Sequence, residues 1–91
     1  MEKMNKDELL AQVIYNDIKT AYNDQTPENM KQALSSAKRV INGDKSININ
    51  LVVALKKLGI SLVWNKVEHD NQVEKRLGVR YKNVALEIWQ D

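Results

Sequence analysis

Thr26-Pro27-Glu28 opens a run with apolar residues at Met30, Ala33, Leu34, Ala37, Val40 and Ile41, and Asn42-Gly43 closes it. The beginning, the buried face and the end of a helix are all written there. Thr26 can accept a bond from a first-turn amide, Pro27 has no amide to leave unpaired, and Gly43 can take the left-handed conformation that ends a helix. The pattern predicts a helix over 27–42 with one apolar stripe and no reactive groups on it. Such a stripe has to be covered by other elements, so the chain is expected to build its core between helices.

A chain of 91 residues is one domain, 1–91, and a domain of that size buries roughly 60 to 68% of the surface its unfolded form exposes. Cysteine is absent, so stability has to come from packing alone and the chain can fold in a reducing compartment. The segment Met1 to Lys6 leads into charged sequence without an apolar stretch of signal length. No window approaches the roughly 20 apolar residues of a membrane span. The expectation is a soluble cytoplasmic protein. Net charge is +2, with six acids and six bases in residues 1–43 and six acids and eight bases in residues 44–91. So small an excess does not by itself argue for nucleic acid, whose binders concentrate basic residues on one face. Phe is absent and the aromatic residues are Tyr15, Tyr22, Trp64, Tyr81 and Trp89, which leaves Leu, Ile and Val to fill the interior.

Asn5-Lys6-Asp7-Glu8 has a cap residue with Glu three positions later, followed by Leu10, Val13, Ile14, Ile18, Ala21 and Tyr22 at helical spacing, so a first helix is predicted over about 6–23. Asn23-Asp24-Gln25 turns into the second helix, and a connection this short favours antiparallel neighbours. From Ser46 to Val67 the chain is apolar nearly all round. Ile47, Leu51, Leu55, Leu58 and Leu62 fit one helical seam, while Ile47, Ile49, Leu51, Val53 and then Ile60, Leu62, Trp64 alternate as a strand would. Helix is the preferred reading. Gly59 implies a close backbone approach, a bend, or an end near Leu58. After His69-Asp70-Asn71, with Asp70 as a cap, Val73, Leu77, Tyr81, Val84 and Ile88 repeat the same offsets and predict a fourth helix. The resulting expectation is an all-α fold, an antiparallel up-and-down four-helix bundle.

Catalytic and metal-binding signals are missing. His69 is the one histidine and sits between Glu68 and Asp70, where consecutive side chains cannot converge on one ion, so a solvated turn is the better reading. The acid pairs Asp7/Glu8 and Glu68/Asp70 lie where helix starts place carboxylates. The three glycines, Gly43, Gly59 and Gly78, make no phosphate loop. No enzyme, metal or cofactor is expected.

Residues 72–84, with Leu77-Gly78-Val79 as a turn, look like a helix-turn-helix, and residues 72–89 supply the alternative reading of a small DNA-binding regulator. Arg80, Tyr81, Lys82 and Asn83 would then open a recognition helix. Glu74 and Glu87 stand where that motif packs its helices and count against it. The basic group Lys75, Arg76, Arg80 and Lys82 reads most simply as a solvated face that can also meet anionic lipid or an acidic protein surface. Trp89 either closes the edge of the core or stands out as a binding anchor.

Laid end to end, the segments resemble the immunity proteins of pediocin-like bacteriocins, the enterocin A immunity type. The resemblance rests on Leu9-Leu10 and Tyr15-Asn16-Asp17-Ile18 in the first helix, Ala33-Leu34 through Ala37-Lys38 in the second, Gly43 before a long apolar third segment, and a last helix around Leu77 to Ile88. It implies a four-helix bundle that protects a bacteriocin producer from its own toxin. Members of that family are cytosolic and act from inside on the mannose phosphotransferase permease that the toxin uses as receptor. Their C-terminal part is associated with specificity. Here that is Lys75 to Asp91, with Lys75, Arg76, Arg80, Lys82 and Trp89 as the expected contact residues toward the permease or the receptor–bacteriocin complex at the inner membrane face.

Overall fold

A computed structural model describes residues 5–42 and 46–90. Helix α1, Lys6–Asn23, starts on a reciprocal cap: Asn5 accepts from the Glu8 amide at 2.8 Å and its side-chain amide donates to the Glu8 carboxylate at 2.9 Å. One stripe of α1, Ala11, Ile14, Ile18 and Ala21, is buried. Helix α2, Pro27–Ala37, starts on Thr26, whose hydroxyl accepts from the Asn29 amide at 3.2 Å. It turns back along α1, and Ser36, buried among apolar residues, donates to Asp17. The hydroxyl is thus not left unpaired in the core.

The second helix ends before its predicted limit. The chain tightens to a 3-10 turn over Lys38–Val40, and Ile41 is already extended and bridges to Ile47. Asn42 donates to the Ser46 carbonyl at 2.8 Å and Asn48 to the Val40 carbonyl at 2.9 Å, so two short antiparallel arms lie between the second and third helices. The expected left-handed stop at Gly43 lies outside the described residues, as does the N-terminal segment Met1 to Met4. Asn48 then caps helix α3, Ile49–Lys57, by accepting from the Leu51 amide at 3.2 Å.

At Gly59 the helical reading fails. Gly59 has φ +89°, its amide donates to the Lys56 carbonyl at 3.1 Å, and the Ile60 amide donates to the Leu55 carbonyl at 3.0 Å. This is a Schellman stop, completed by contact between apolar residues on either side of the glycine, and Leu55 and Ile60 are both fully buried. The described chain beyond it is sheet: β1 Ser61–His69, β2 Gln72–Tyr81 and β3 Val84–Gln90, antiparallel in the order β1-β2-β3. The expected four-helix bundle is therefore corrected to an α+β fold, with three helices and a three-stranded sheet among the described residues. The fourth helix is two strands. The helix-turn-helix over 72–89 falls with it, because Arg80 and Tyr81 end one strand, Lys82 and Asn83 form the following turn, and Gly78 lies within a strand rather than in an interhelical turn. Asp70 is not a helix cap either. Asp70 and Asn71, with φ of 42° and 70°, form the two-residue turn of a hairpin, a conformation Asp and Asn accept more readily than most residues.

Alternation sorts the strands into two faces. Leu77, Val79 and Tyr81 from β2 and Val84, Leu86 and Ile88 from β3 are buried against Ile14, Ile18, Val40, Leu51 and Leu55 of the helical layer. Fully burying each such Leu or Ile stabilises by roughly 1.5 to 3 kcal/mol. A bulge at Leu77/Gly78 sets Gly78 opposite Glu87 and Leu77 opposite Trp89, leaving Ile88 as the extra residue. Strand β1 takes little part in this core. Leu62 packs against it, but Val63 to Lys66 are exposed, and the β1-β2 hairpin runs on past the helices in a molecule 55 Å long and 20 Å thick.

Candidate contact surface on the projecting hairpin

Cross-strand partners in an antiparallel pair point to the same face. On the helix-facing side of the sheet the register pairs Leu62 with Val79, Trp64 with Leu77, Lys66 with Lys75, and Glu68 with Val73. The first pair and Leu77 of the second belong to the core under the helices. Beyond Leu77 the layer ends, and the same face emerges into solvent.

Leu77 stands opposite Trp64 on one side and Trp89 on the other. The two indoles meet over it with centroids 5.5 Å apart and planes at 89°, the edge-to-face arrangement favoured by their charge distributions. Leu77 is fully buried while Trp64 keeps 49% of its surface exposed. Next along the strands, Lys66 and Lys75 face each other, and with Trp64 they line a hollow of about 260 Å³. Neither lysine forms an ion pair among the described residues. Like charges directly across a ladder are destabilising.

The five expected contact residues do not come together. Lys75 and Trp89 belong to this face. Arg76 lies on the opposite face and is held by Glu74 at 3.1 Å and Glu87 at 3.7 Å. Arg80 is on that opposite face as well, with its Nε donating to the Lys82 carbonyl at 3.4 Å. Lys82 occupies the β2–β3 turn at φ +53°, its ammonium 4.7 Å from the centre of the Tyr22 ring and 5.3 Å from that of Tyr81. The strand period thus divides the expected basic patch among three places. Trp64 and Lys66 complete the surface and are not among the expected contacts. Alternation of Ile60, Leu62 and Trp64 is the sequence signal that points to them.

The tyrosines form a second cluster at the other end of the sheet. Tyr15 and Tyr22 both meet Tyr81 edge to face at 5.7 Å. The interaction of the Tyr15 and Tyr81 hydroxyls lowers the Tyr81 pKa, with burial opposing and the nearby Lys82 charge adding to the lowering, and raises that of Tyr15, where burial adds to the rise. These groups pack and cap the β2–β3 turn. His69 is exposed at the end of β1, and among the described residues no group of three or more His, Asp or Glu gathers as a metal site would. No described helix is long and apolar enough to cross a membrane.

Comparison with protein-family profiles, with curated proteins and with solved structures gives no match to this chain.

Proposed function

We propose that this protein works by surface contact with another protein, through the face built from Trp64, Trp89, Lys66 and Lys75. The observation that carries the reading is the half-exposed indole pair seated on a buried Leu77, flanked by two opposed lysines. A Trp fixed by its neighbours loses little freedom when covered, which is why such residues dominate binding energy at interfaces. The lysines select for a partner whose apolar or aromatic anchor is bordered by carboxylates, since such a partner relieves their mutual repulsion.

Bacteriocin immunity is the specific role we propose for that contact: protection of a producing cell by engaging, from the cytosol, the toxin-bound mannose phosphotransferase permease. Its support is the helical half. Leu9-Leu10 and Tyr15 to Ile18 lie in α1, Ala33-Leu34 lie in α2, and these two helices pack together through Ser36 and Asp17. The half associated with specificity in that family is a sheet here. Its contact residues are accordingly Trp64, Lys66, Lys75 and Trp89 rather than a basic helix.

The test is expression in a sensitive strain challenged with a panel of pediocin-like toxins, using the wild type, Trp64→Ala and the double variant Lys66→Glu/Lys75→Glu. Protection by the wild type against at least one toxin, lost in both variants at equal protein level, is the expected result. Absence of protection against the whole panel would remove the immunity role, and protection indifferent to the substitutions would remove this face.

A further inference from the structure

Among the described residues, strand β1 is the outer strand of the sheet, paired with β2 on one side only. The two-residue turn at Asp70-Asn71 makes His69 and Gln72 the pair that exchanges both backbone bonds, so Val67, Asn65, Val63 and Ser61 bond to β2 in alternation. Leu62, Trp64, Lys66 and Glu68 then direct their N–H and C=O groups outward, to the open edge. The ladder is regular over all nine residues of β1, without a bulge or proline to blunt it. Such an edge is a template for another strand. The charges on it, Lys66 and Glu68, are the devices that would ordinarily prevent pairing.

Both charges find complements in a second copy of the same strand. Overlapping β1 fully with itself, antiparallel, centres the pair on Asn65. Lys66 of each copy then lies opposite Trp64 of the other, close enough for its ammonium to reach the indole face. Val63 lies opposite Val67, twice. Glu68 lands opposite Leu62, and Lys56 lines a hollow of about 330 Å³ with Leu62, Ser61 and Ile60, so the incoming carboxylate meets a cation from α3. A register shifted by two residues either way sets Lys66 on Lys66 or Trp64 on Trp64 and leaves edge groups unpaired. The full-overlap register therefore satisfies backbone, charge and aromatic groups together.

We propose that two copies join through their β1 edges, antiparallel about Asn65, into one continuous sheet of six strands, three from each copy. The two indole pairs then lie on the same face of one sheet, so the dimer offers a partner two contact surfaces side by side and gains by avidity. The contact is isologous and closes on itself.

Sedimentation of the full chain across a concentration range, with two engineered series, tests this. The wild type is expected to run at twice the monomer mass, and Lys66→Pro, which removes an outward N–H and leaves the β2 bonds in place, to run as a folded monomer. The chain has no cysteine of its own. Asn65→Cys is therefore expected to oxidise to a covalent dimer, because the central residues of the two copies face each other within disulfide reach, whereas Glu68→Cys stays uncrosslinked. A wild type that is monomeric throughout, a dimer that survives Lys66→Pro, or Glu68→Cys crosslinking as readily as Asn65→Cys would each overturn the proposal.

Discussion

Lys66 lies directly opposite Lys75 across the β1–β2 ladder, on the face that also carries Trp64 and Trp89. Two like charges at that distance weaken the sheet, and nothing in the packing of the hairpin requires both. A pair that costs stability where a neutral or opposite pair would add it marks a surface shaped by something other than folding. Reversing one charge separates the two demands. Lys75→Glu is expected to raise stability by about 0.2 to 1 kcal/mol in urea unfolding, and to abolish protection in the toxin assay.

Leu77 is the residue on which the exposed aromatic pair rests. Leu77→Ala opens a cavity under both indoles and is expected to cost about 2 to 5 kcal/mol. Urea unfolding followed by tryptophan fluorescence reads both effects, since the same truncation frees the rings. Trp64→Ala, at a half-exposed site, is expected to cost much less.

Gly59 terminates α3 in a conformation that side chains oppose, at φ +89°. There is room for a methyl group, since the nearest atom of the Tyr81 ring lies 3.8 Å from the point a Cβ would occupy. The backbone, not crowding, sets the penalty. Gly59→Ala is expected to destabilise by about 1 to 2 kcal/mol, with thermal unfolding as the measurement.

The edge-to-face contact of Tyr15 with Tyr81 divides two phenols. The interaction with the Tyr15 hydroxyl and the neighbouring Lys82 favour the phenolate of Tyr81 against the effect of burial, while the same interaction and burial favour protonated Tyr15. In a spectrophotometric titration Tyr81 is expected to ionise before Tyr15. Tyr15→Phe removes the neighbouring hydroxyl and is expected to move the Tyr81 step up, toward the ordinary phenol range.

Much of the helical half was legible because its signals are local. Asn5 and Thr26 each place one oxygen on an orphan amide, and Pro27 stands at a first helical position, whereas Asn48, the cap of α3, falls inside the helix expected from Ser46. The C-terminal half misleads for an arithmetical reason. An offset of four is one turn of helix and also two periods of a strand, so Val73, Leu77 and Tyr81 satisfy both patterns. The two-residue turn then steps the phase by three, from Tyr81 to Val84, and the next offset of four reaches Ile88 within β3. A hairpin with such a turn therefore imitates a helical seam. What breaks the tie is Val79 and Leu86, apolar residues between the seam positions that a strand buries and a helix would turn aside. Leu58-Gly59-Ile60 carries the other signal: a glycine followed by an apolar residue is how a helix stops as well as how one bends. The candidate surface was legible only in part, because which basic residues share a face depends on the period assigned.

The relation of Trp64 to Leu77 carries the account, since it fixes both the sheet and the surface built on it. Nuclear Overhauser spectroscopy of the folded chain measures it directly. Cross-strand contacts between the α-protons of Trp64 and Leu77 and of Lys66 and Lys75, with indole-to-indole contacts from Trp64 to Trp89, are the expected result. Sequential helical contacts three residues apart through 72–88, with none across the strands, would contradict it.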